Sequence, residues 1–226
     1  MNTSLTKAEL KQYVAAQCGN FFPDKHRFDG ADVDAAMDLA LLRSEYCFRF
    51  IDKPQYNRDG QVWFDHLHSD QYATFLFFLS NSLWKHSQNK PLCDKLLLLN
   101  KALNCFFLSY KCGMPDIFAL GHPVGTIIGN AEYSNFLVIM QNVTINTETP
   151  PPKLGKGVFL AAGANIIGSG TIGNYSSIGI GTTVYKKDIP DNCIAFTDSS
   201  GQVVIKESDR CAAQIFFNVD IKKFKD

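Results

Sequence analysis

The spacing of hydrophobic positions along the chain changes near residue 113. Before that point, apolar residues recur with helical spacing in stretches such as "DVDAAMDLALLRSEYCFRFI" and "DQYATFLFFLSNSLWKH". After it, Gly, Ile, Val, Ala, Ser and Thr dominate and the helical spacing is lost. The pattern predicts a helical domain over 1–112, a repetitive domain over 113–190 and a C-terminal tail over 191–226.

Local signals predict where the helices begin and end. Thr6 and Glu9 have the spacing of a capping box, so a first helix is expected through about residue 17. A second helix is expected to end before Pro54, and Ser69 is expected to cap a third. Pro91 is expected to open a fourth helix that continues to about residue 110.

In the second half, a branched aliphatic residue recurs at every sixth position. The clearest run is Leu154, Leu160, Ile166, Ile172, Ile178 and Val184. A period of six fits a chain that winds round a triangular prism, with one short strand on each side and one aliphatic residue pointing inward per strand. Three such hexads make a coil of 18 residues, so the span 115–190 predicts a parallel β-helix of about four coils. The alternative, a β-sandwich, needs an alternating pattern that "LAAGANIIGSG" lacks.

The rhythm extends backwards from this run and breaks once. It can be traced through Ile145, Ile139, Tyr133 and Ile127. Between Ile145 and Leu154 there are nine steps instead of six, and the surplus falls in "NTETPPPK". A loop is therefore expected to leave the prism at residues 147–153. Such a loop is either surface decoration or part of a site, because loops on rigid scaffolds often carry function.

Composition and charge argue against a nucleic-acid-binding protein, a disulfide-stabilised protein and a membrane-spanning protein. Among 226 residues there are 22 Lys plus Arg and 22 Asp plus Glu, without a basic run, so no nucleic-acid partner is expected. The 7 cysteines are odd in number and lack CxxC spacing, which argues against a disulfide framework and a zinc site and favours reduced thiols. The sequence shows no signal peptide and no apolar stretch long enough to span a bilayer, so a cytoplasmic protein is expected.

Two segments carry a resemblance to a known family. The segments "GHPVGTIIGNAEYSNFLVIMQNVTIN" and "PKLGKGVFLAAGANIIGSGTIG" resemble the hexapeptide-repeat, left-handed β-helix acyltransferases, and within them the serine acetyltransferase branch. The sequences His122–Gly125 and Ile189–Asn192 resemble most closely the serine acetyltransferase-like proteins of polysaccharide and lipopolysaccharide biosynthesis. The implied fold class is α+β: an N-terminal α-helical domain followed by a left-handed parallel β-helix.

The resemblance implies acetyl transfer from acetyl-CoA to a hydroxyl group. A hydroxyl needs a base to remove its proton as it attacks a thioester, and the resemblance assigns this role to His122. Asp116 is the nearest carboxylate upstream and could orient the imidazole, or be an ordinary turn residue. The segment Ala161-Ala162-Gly163 is expected to lie against the pantetheine arm of CoA. One residue of the pair Lys186-Lys187 is expected near the CoA phosphates.

The chain departs from the serine enzymes at three places. Gly121 stands where an Asp precedes their catalytic His, and Pro151 and Pro152 stand in the region of their second His. Their Arg-Asp-Pro motif in the helical half is replaced by Asp65-His66-Leu67. An amino acid acceptor needs charged partners for its ammonium and carboxylate groups, so these losses favour a sugar hydroxyl as the acceptor.

The expected function is therefore acetyl-CoA-dependent O-acetylation of a saccharide, with Asp65, His66 and His68 as candidate acceptor-binding residues. These histidines could instead belong to the start of a helix, where Asp70 is expected to act as a cap. The alternatives are a serine acetyltransferase of cysteine synthesis and a β-helix scaffold without catalytic activity. The resemblance also implies a homotrimer or a dimer of trimers, and the apolar residues Phe136, Val138 and Phe159 on the outer strand faces are expected to form the interface.

Overall fold

A computed structural model gives the structure of the protein and describes residues 1–146 and 148–225. Thr147, the first residue of the expected loop, and Asp226, the last of the tail, lie outside the described residues. The contacts divide the chain into two compact units. The first contains Met1–Arg49 and Lys53–Lys111, and the second contains Phe50–Asp52 and the chain from Cys112 onward.

The first unit is built from four helices and a small sheet. The helices are α1 (Lys7–Phe21), α2 (Ala31–Phe48), α3 (Ser69–Ser87) and α4 (Lys90–Asn104). The small sheet has the strand order β1 (Asn2–Thr3), β3 (Gln61–Phe64), β2 (Asn57–Arg58), and a 3₁₀ turn covers Pro54–Tyr56. A separate short strand, β4 (Phe106–Leu108), follows α4. Helix α3 lies between α2 and α4, and every residue from Asp70 to Leu83 is buried. No helix in the described part of the chain is long and apolar enough to span a bilayer.

The start of α1, the end of α2 before Pro54 and the start of α4 are confirmed, whereas α1 extends to Phe21 and the expected cap of α3 and end of α4 are wrong. Thr6 and Glu9 form the predicted capping box, and Pro91 lies in the first turn of α4. Ser69 is inside α3 rather than its cap, because His68 is the residue with extended backbone before the helix. Helix α4 ends before Cys105, whose left-handed φ of 48° stops it, so the apolar residues that follow form β4 and do not extend the helix to residue 110.

The second unit is a parallel β-helix with three faces. The first face contains β5 (Phe118–Gly121), β8 (Leu137–Met140), β11 (Phe159–Leu160), β14 (Ser177–Ile178) and β16 (Cys193–Thr197), and β17 (Val203–Glu207) pairs antiparallel with β16. The second face contains β6 (Thr126–Ile128), β9 (Thr144–Ile145), β12 (Asn165–Ile167) and β15 (Thr183–Tyr185). The third contains β7 (Glu132–Tyr133), β10 (Lys153–Leu154) and β13 (Thr171–Ile172).

The six-residue rhythm identified the inward-pointing residues correctly over most of the β-helix. All six members of the run from Leu154 to Val184 are buried. They pair in register with the equivalent residues one coil away, as Leu160 does with Ile139 and Ile178. Successive coils are ~4.8 Å apart, so these aliphatic residues form columns along the axis of the prism. The core is therefore a stack of apolar layers, each supplied by one coil.

The rhythm fails at its first member, and the coil count is too low. Ile127 pairs with Thr144 and is 50% exposed, whereas Ile128 pairs with the inward residue Ile145. The inward position is displaced because only five steps, instead of six, separate Ile128 from Tyr133, the inward residue that pairs with Leu154. Five parallel strands occupy the first face, one more than the expected four coils, since Cys193–Thr197 adds a further strand beyond residue 190.

The expected subunit interface on the first face is wrong. Phe136 and Val138 are fully buried and Phe159 is half-buried, because the chain's own C-terminal segment covers them. The segment contains a 3₁₀ helix, Ala212–Phe216, and its aromatic rings pack on the face. The ring of Phe217 lies 5.1 Å from that of Phe136, and the ring of Phe216 lies 6.1 Å from that of Phe159. The outward apolar residues of this face therefore belong to an intramolecular core.

Candidate active site

The corner between the first and second faces contains both His122 and the segment Ala161-Ala162-Gly163. At this corner each coil bends at one residue with a left-handed backbone, and these residues stack: Gly125, Asn142, Gly163 and Gly181. Backbone bonds join successive coils, with the N–H of Gly163 donating to the carbonyl of Gln141 at 2.9 Å. We call this stack the His122 corner. Its regular geometry makes any departure from the repeat easy to locate.

His122 and Pro123 are two extra residues in the corner. Eight steps lead from the inward Leu120 to the inward Ile128, whereas six lead from Ile139 to Ile145 in the next coil. Because Gly121 pairs with Met140 and the N–H of Asn142 donates to the carbonyl of Val124, the surplus is confined to positions 122 and 123. His122 is exposed and has a φ of 51°, a conformation uncommon for residues other than glycine. The bulge therefore holds the imidazole outside the regular stack, in a strained backbone of the kind found at functional sites.

Gly121 lies beneath the side chains that cover the first face. A Cβ atom at this position would be 2.6 Å from Sδ of Met140 and 3.9 Å from the ring of Phe216. A larger residue, such as the Asp that the resembling enzymes carry here, would have to displace Met140. The side chain of Met140 therefore packs over the residue before His122, and Phe216 of the C-terminal segment lies at ordinary contact distance from it.

The segment Ala161-Ala162-Gly163 lies on the same corner as His122, two coils further along. At ~4.8 Å per coil, this separation is roughly 10 Å. The side chains are small and half-buried, so a ligand can approach the backbone. The N–H of Ala162 has no acceptor in the described part of the chain, which leaves it available to a ligand carbonyl or a developing negative charge.

Lys186 and Lys187 lie on a different corner, between the second and third faces. Lys186 forms an ion pair at 3.1 Å with Glu148, which belongs to the loop between β9 and β10, called here the excursion loop. The hydrogen bond that the ammonium group donates to this carboxylate raises the pKa of Lys186. Gly168 allows this contact, because a Cβ there would be 2.6 Å from Cγ of Lys186. Within one chain, the width of the second face therefore separates both lysines from His122.

Asp116 does not approach His122. The four residues of β5 lie between them, and at ~3.3 Å per residue this is roughly 13 Å of extended chain. Asp116 is exposed and precedes β5, whereas His122 follows the end of that strand. The sequence suggested Asp116 as an orienting residue, and the structure does not bring the two together.

Asp65, His66 and His68 belong to the first unit, where two of them support its local structure. Asp65 accepts a hydrogen bond from the N–H of Leu67 at 3.0 Å. Nδ1 of His66 lies 2.8 Å from Oγ of Ser4. The ring of His68 packs edge-on against Tyr56, and its Nδ1 is buried without a hydrogen-bond partner.

The structure adds a residue to the corner that the sequence analysis did not single out. Gln141 follows β8 and lies in the layer between His122 and Ala162. Its Oε1 atom is buried and has no hydrogen-bond partner. The sequence contained Gln141 only as part of the resemblance, and nothing in its spacing shows that its side-chain oxygen is buried.

A groove of about 1030 Å³ lies between the first face and the C-terminal segment, away from these residues. Phe159, Ile194 and Ile215 contribute apolar surface, and Asp209 and Arg210 lie among its lining residues. It contains none of the predicted site residues, so we place the candidate site at the corner and not in the groove. Within the described residues, no group of three His, Cys, Asp or Glu side chains could hold a metal ion.

Comparison with known proteins gives matches in structure only. No protein-family model matches the sequence, and no curated protein matches it. Among solved structures, serine acetyltransferase from Brucella abortus strain S19 has a TM-score of 0.67 and 19% identity over 92% of this chain and 86% of that chain. Soybean serine acetyltransferase complexed with serine has a TM-score of 0.60 and 18% identity over 86% and 84%. A serine acetyltransferase in complex with CoA has a TM-score of 0.57 and 18% identity over 85% and 75%.

These matches span both halves of the chain and extend over most of each solved structure. They confirm the expected fold class, which is α-helices followed by a left-handed parallel β-helix. The chain therefore has the fold of the serine acetyltransferases.

Proposed function

We propose that the protein is an acetyl-CoA-dependent O-acetyltransferase in which His122 is the general base. The observation that carries this proposal is the bulge, which adds one exposed imidazole to a corner that otherwise follows the repeat. The structural neighbours are serine acetyltransferases, and one was solved in complex with CoA, which supports acetyl-CoA as the co-substrate.

In the proposed reaction His122 removes the proton from the acceptor hydroxyl as its oxygen attacks the acetyl carbonyl carbon. The negative charge that develops on the acetyl oxygen is stabilised by N–H donors close to His122, whereas the N–H of Ala162, roughly 10 Å away, would bind an amide oxygen of the pantetheine arm. The thioester bond then breaks, and the imidazolium returns the proton to the departing sulfur. The products are an acetyl ester and the free CoA thiol, and His122 regains its neutral form.

The shape of the corner also suits a long thin donor. The pantetheine arm would run from His122 past Ala161-Ala162-Gly163, along roughly 10 Å of the corner. Lys186 and Lys187 would reach the CoA phosphates from a neighbouring copy, since in their own chain they lie across the second face. We therefore propose a site in the cleft between two subunits of a trimer.

For the acceptor, the comparisons support serine better than the saccharide that the sequence analysis favoured. The neighbours are serine acetyltransferases, and the soybean enzyme was solved complexed with serine. The saccharide remains a second candidate because Gly121, Pro151 and Asp65-His66-Leu67 replace groups of the serine enzymes, and Gly121 leaves no side chain there to bind an ammonium group.

The purified full-length protein tests both acceptors directly. It is incubated with acetyl-CoA and either L-serine or a panel of neutral and acidic saccharides. Thiol release is followed with a disulfide reagent and products by mass spectrometry. Serine-dependent release of CoA would establish the serine activity, and release only with a saccharide would establish the second candidate. Absence of both release and acetyl-CoA binding would contradict the proposal and favour a scaffold.

A further inference from the structure

We infer that Gln141 is a positioning residue that fixes the tautomer of His122, an inference that rests on the proposed function. A neutral imidazole carries a proton on one ring nitrogen and a lone pair on the other, and only the lone pair can act as a base. A group that accepts the N–H therefore determines which nitrogen faces the acceptor hydroxyl. Asp116, which the sequence suggested for this role, lies at the far end of β5.

The register places Gln141 against the bulge. Its chain neighbour Met140 pairs with Gly121, and Gln141 itself stacks on Val124. Gly121 and Val124 are the residues that immediately flank the His122-Pro123 insertion. Gln141 thus occupies the layer over the point where the two extra residues leave the corner.

The repeat itself does not need a polar side chain at this position. The equivalent residues in the other coils are Val124, Ala162 and Ile180. Gln141 instead buries an amide oxygen without a donor, which lowers stability relative to an apolar side chain. A buried acceptor in the layer next to the bulge is explained if it receives the imidazole N–H of His122 when the substrates bind, since catalytic hydrogen bonds often tighten only in the complex.

An uncharged hydrogen-bond acceptor, such as the amide oxygen of Gln141, also suits the proposed role of His122 as a general base. A carboxylate beside the imidazole would favour its protonated form and raise its pKa. An amide oxygen accepts the N–H without placing a negative charge beside the imidazole. Gln141→Glu should therefore keep the hydrogen bond and shift the titration of His122, whereas Gln141→Leu should lose the hydrogen bond altogether.

Steady-state kinetics of these variants provide the first test, with His122→Ala measured in parallel. We expect Gln141→Leu to lower kcat about tenfold or more with little change in KM, the usual scale for residues that orient a reacting group. Gln141→Glu should retain more activity than Gln141→Leu, and the acidic limb of its kcat/KM profile should move to higher pH. The control is Gln202→Leu, an exposed residue of the β16–β17 turn, and it should behave as wild type.

A spectroscopic test separates this inference from the proposed function. In protein labelled with ¹⁵N-histidine, the His122 signals are assigned by their loss in His122→Ala, since the chain has 5 histidines. With acetyl-CoA or CoA bound, wild type should show one dominant tautomer, Gln141→Leu a mixture, and Gln141→Glu a higher pKa for His122. Identical His122 tautomers and pKa values in all three folded proteins would overturn the inference, even if His122 proves to be the base. A folded protein without transferase activity would refute the proposed function, and the ¹⁵N spectra would still decide the role of Gln141.

Discussion

At the scale of single residues, the proposed chemistry depends on an imidazole held in an unfavourable backbone conformation. His122 has a φ of 51°, a conformation that alanine can adopt although histidine is found in it more often. Replacing His122 by Ala should therefore remove the base and leave the fold intact. We expect turnover to fall about 10²-fold or more, the scale of general-base catalysis. Thermal unfolding should be unchanged, and acetyl-CoA binding by calorimetry should persist.

His86→Ala is the matched control for this substitution, because His86 is exposed at the end of α3. It should retain wild-type turnover. If a folded His122→Ala protein turned over at the normal rate, His122 would not be the base.

Phe136 lies at the centre of a buried aromatic cluster, so its replacement should destabilise the fold. It is fully buried, and its ring meets the rings of Phe50, Phe217 and Phe224 at 6.1, 5.1 and 5.0 Å. Phe136→Ala should lower the free energy of unfolding by about 3–5 kcal/mol, because it removes the centre of an aromatic cluster that joins three chain segments. Urea denaturation measures the loss, and Phe21→Ala, at a residue that is 50% exposed, should change stability by much less.

At the scale of elements, the excursion loop is tied to the β-helix by an exposed ion pair. The pair joins Lys186 to Glu148 at 3.1 Å, and exposed pairs contribute only about 0–1 kcal/mol. Deleting Thr149–Pro151 to restore the six-residue register should therefore leave the melting temperature almost unchanged. We expect acetyl transfer to fall, because the loop would no longer border the proposed CoA site.

Glu148→Gln is the control for the deletion, since it breaks the ion pair and keeps the length of the loop. Full activity in the shortened protein would show that the loop is surface decoration. Equal losses in both proteins would assign the effect to the ion pair and not to the loop.

The sequence predicted those elements whose signals are local. The six-residue rhythm fixed the columns around Leu160 and Ile166 because each coil packs only on its neighbours. It misplaced Ile127 because the step from Ile128 to Tyr133 is one residue short, and two adjacent isoleucines give no sign of which one points inward. It also missed that the C-terminal segment covers Phe136, since a contact over so long a stretch of chain depends on tertiary packing.

Local sequence signals likewise identified only some of the residues at the candidate site. The sequence identified His122 and Ala161-Ala162-Gly163, and the repeat geometry then places them on one corner. It could not exclude Asp116, because proximity along the chain does not reveal that a strand separates the two side chains. Nor could it single out Gln141, whose buried oxygen becomes evident only in the packed corner.

At the scale of the whole molecule, the covered first face restricts how copies of the β-helix can associate. The second face and its edges carry exposed apolar side chains, with Ile127 at 50%, Tyr185 at 62% and Val124 at 56% exposed. We expect these residues to pack between subunits in the proposed homotrimer. Ile127→Lys should lower the molar mass measured by light scattering from that of a trimer to that of a monomer.

Ile215→Lys is the matched control, because Ile215 is 67% exposed on the C-terminal segment that covers the first face. It should leave the molar mass unchanged. A wild-type protein that is monomeric at micromolar concentration would contradict the proposed shared site.

Complementation between subunits tests the shared site at the same scale. Mixed trimers of His122→Ala protomers and Lys186→Glu/Lys187→Glu protomers should regain part of the lost activity. Some clefts would then combine an intact His122 with intact lysines from the neighbouring copy. Verified mixed trimers without recovery would show that one chain supplies the whole site.

Because the coils stack regularly along the His122 corner, distances along this corner are multiples of one coil spacing. The distance from the bulge to the backbone of Ala162 is two coil spacings, and it can change only in steps of ~4.8 Å. Inserting one complete coil between β8 and β11 would leave the bulge and the Ala162 backbone intact and lengthen the distance between them by one coil spacing. Among acyl donors with shorter or longer arms, preference should then change stepwise with the number of coils, which makes reach a property that can be adjusted separately from the chemistry.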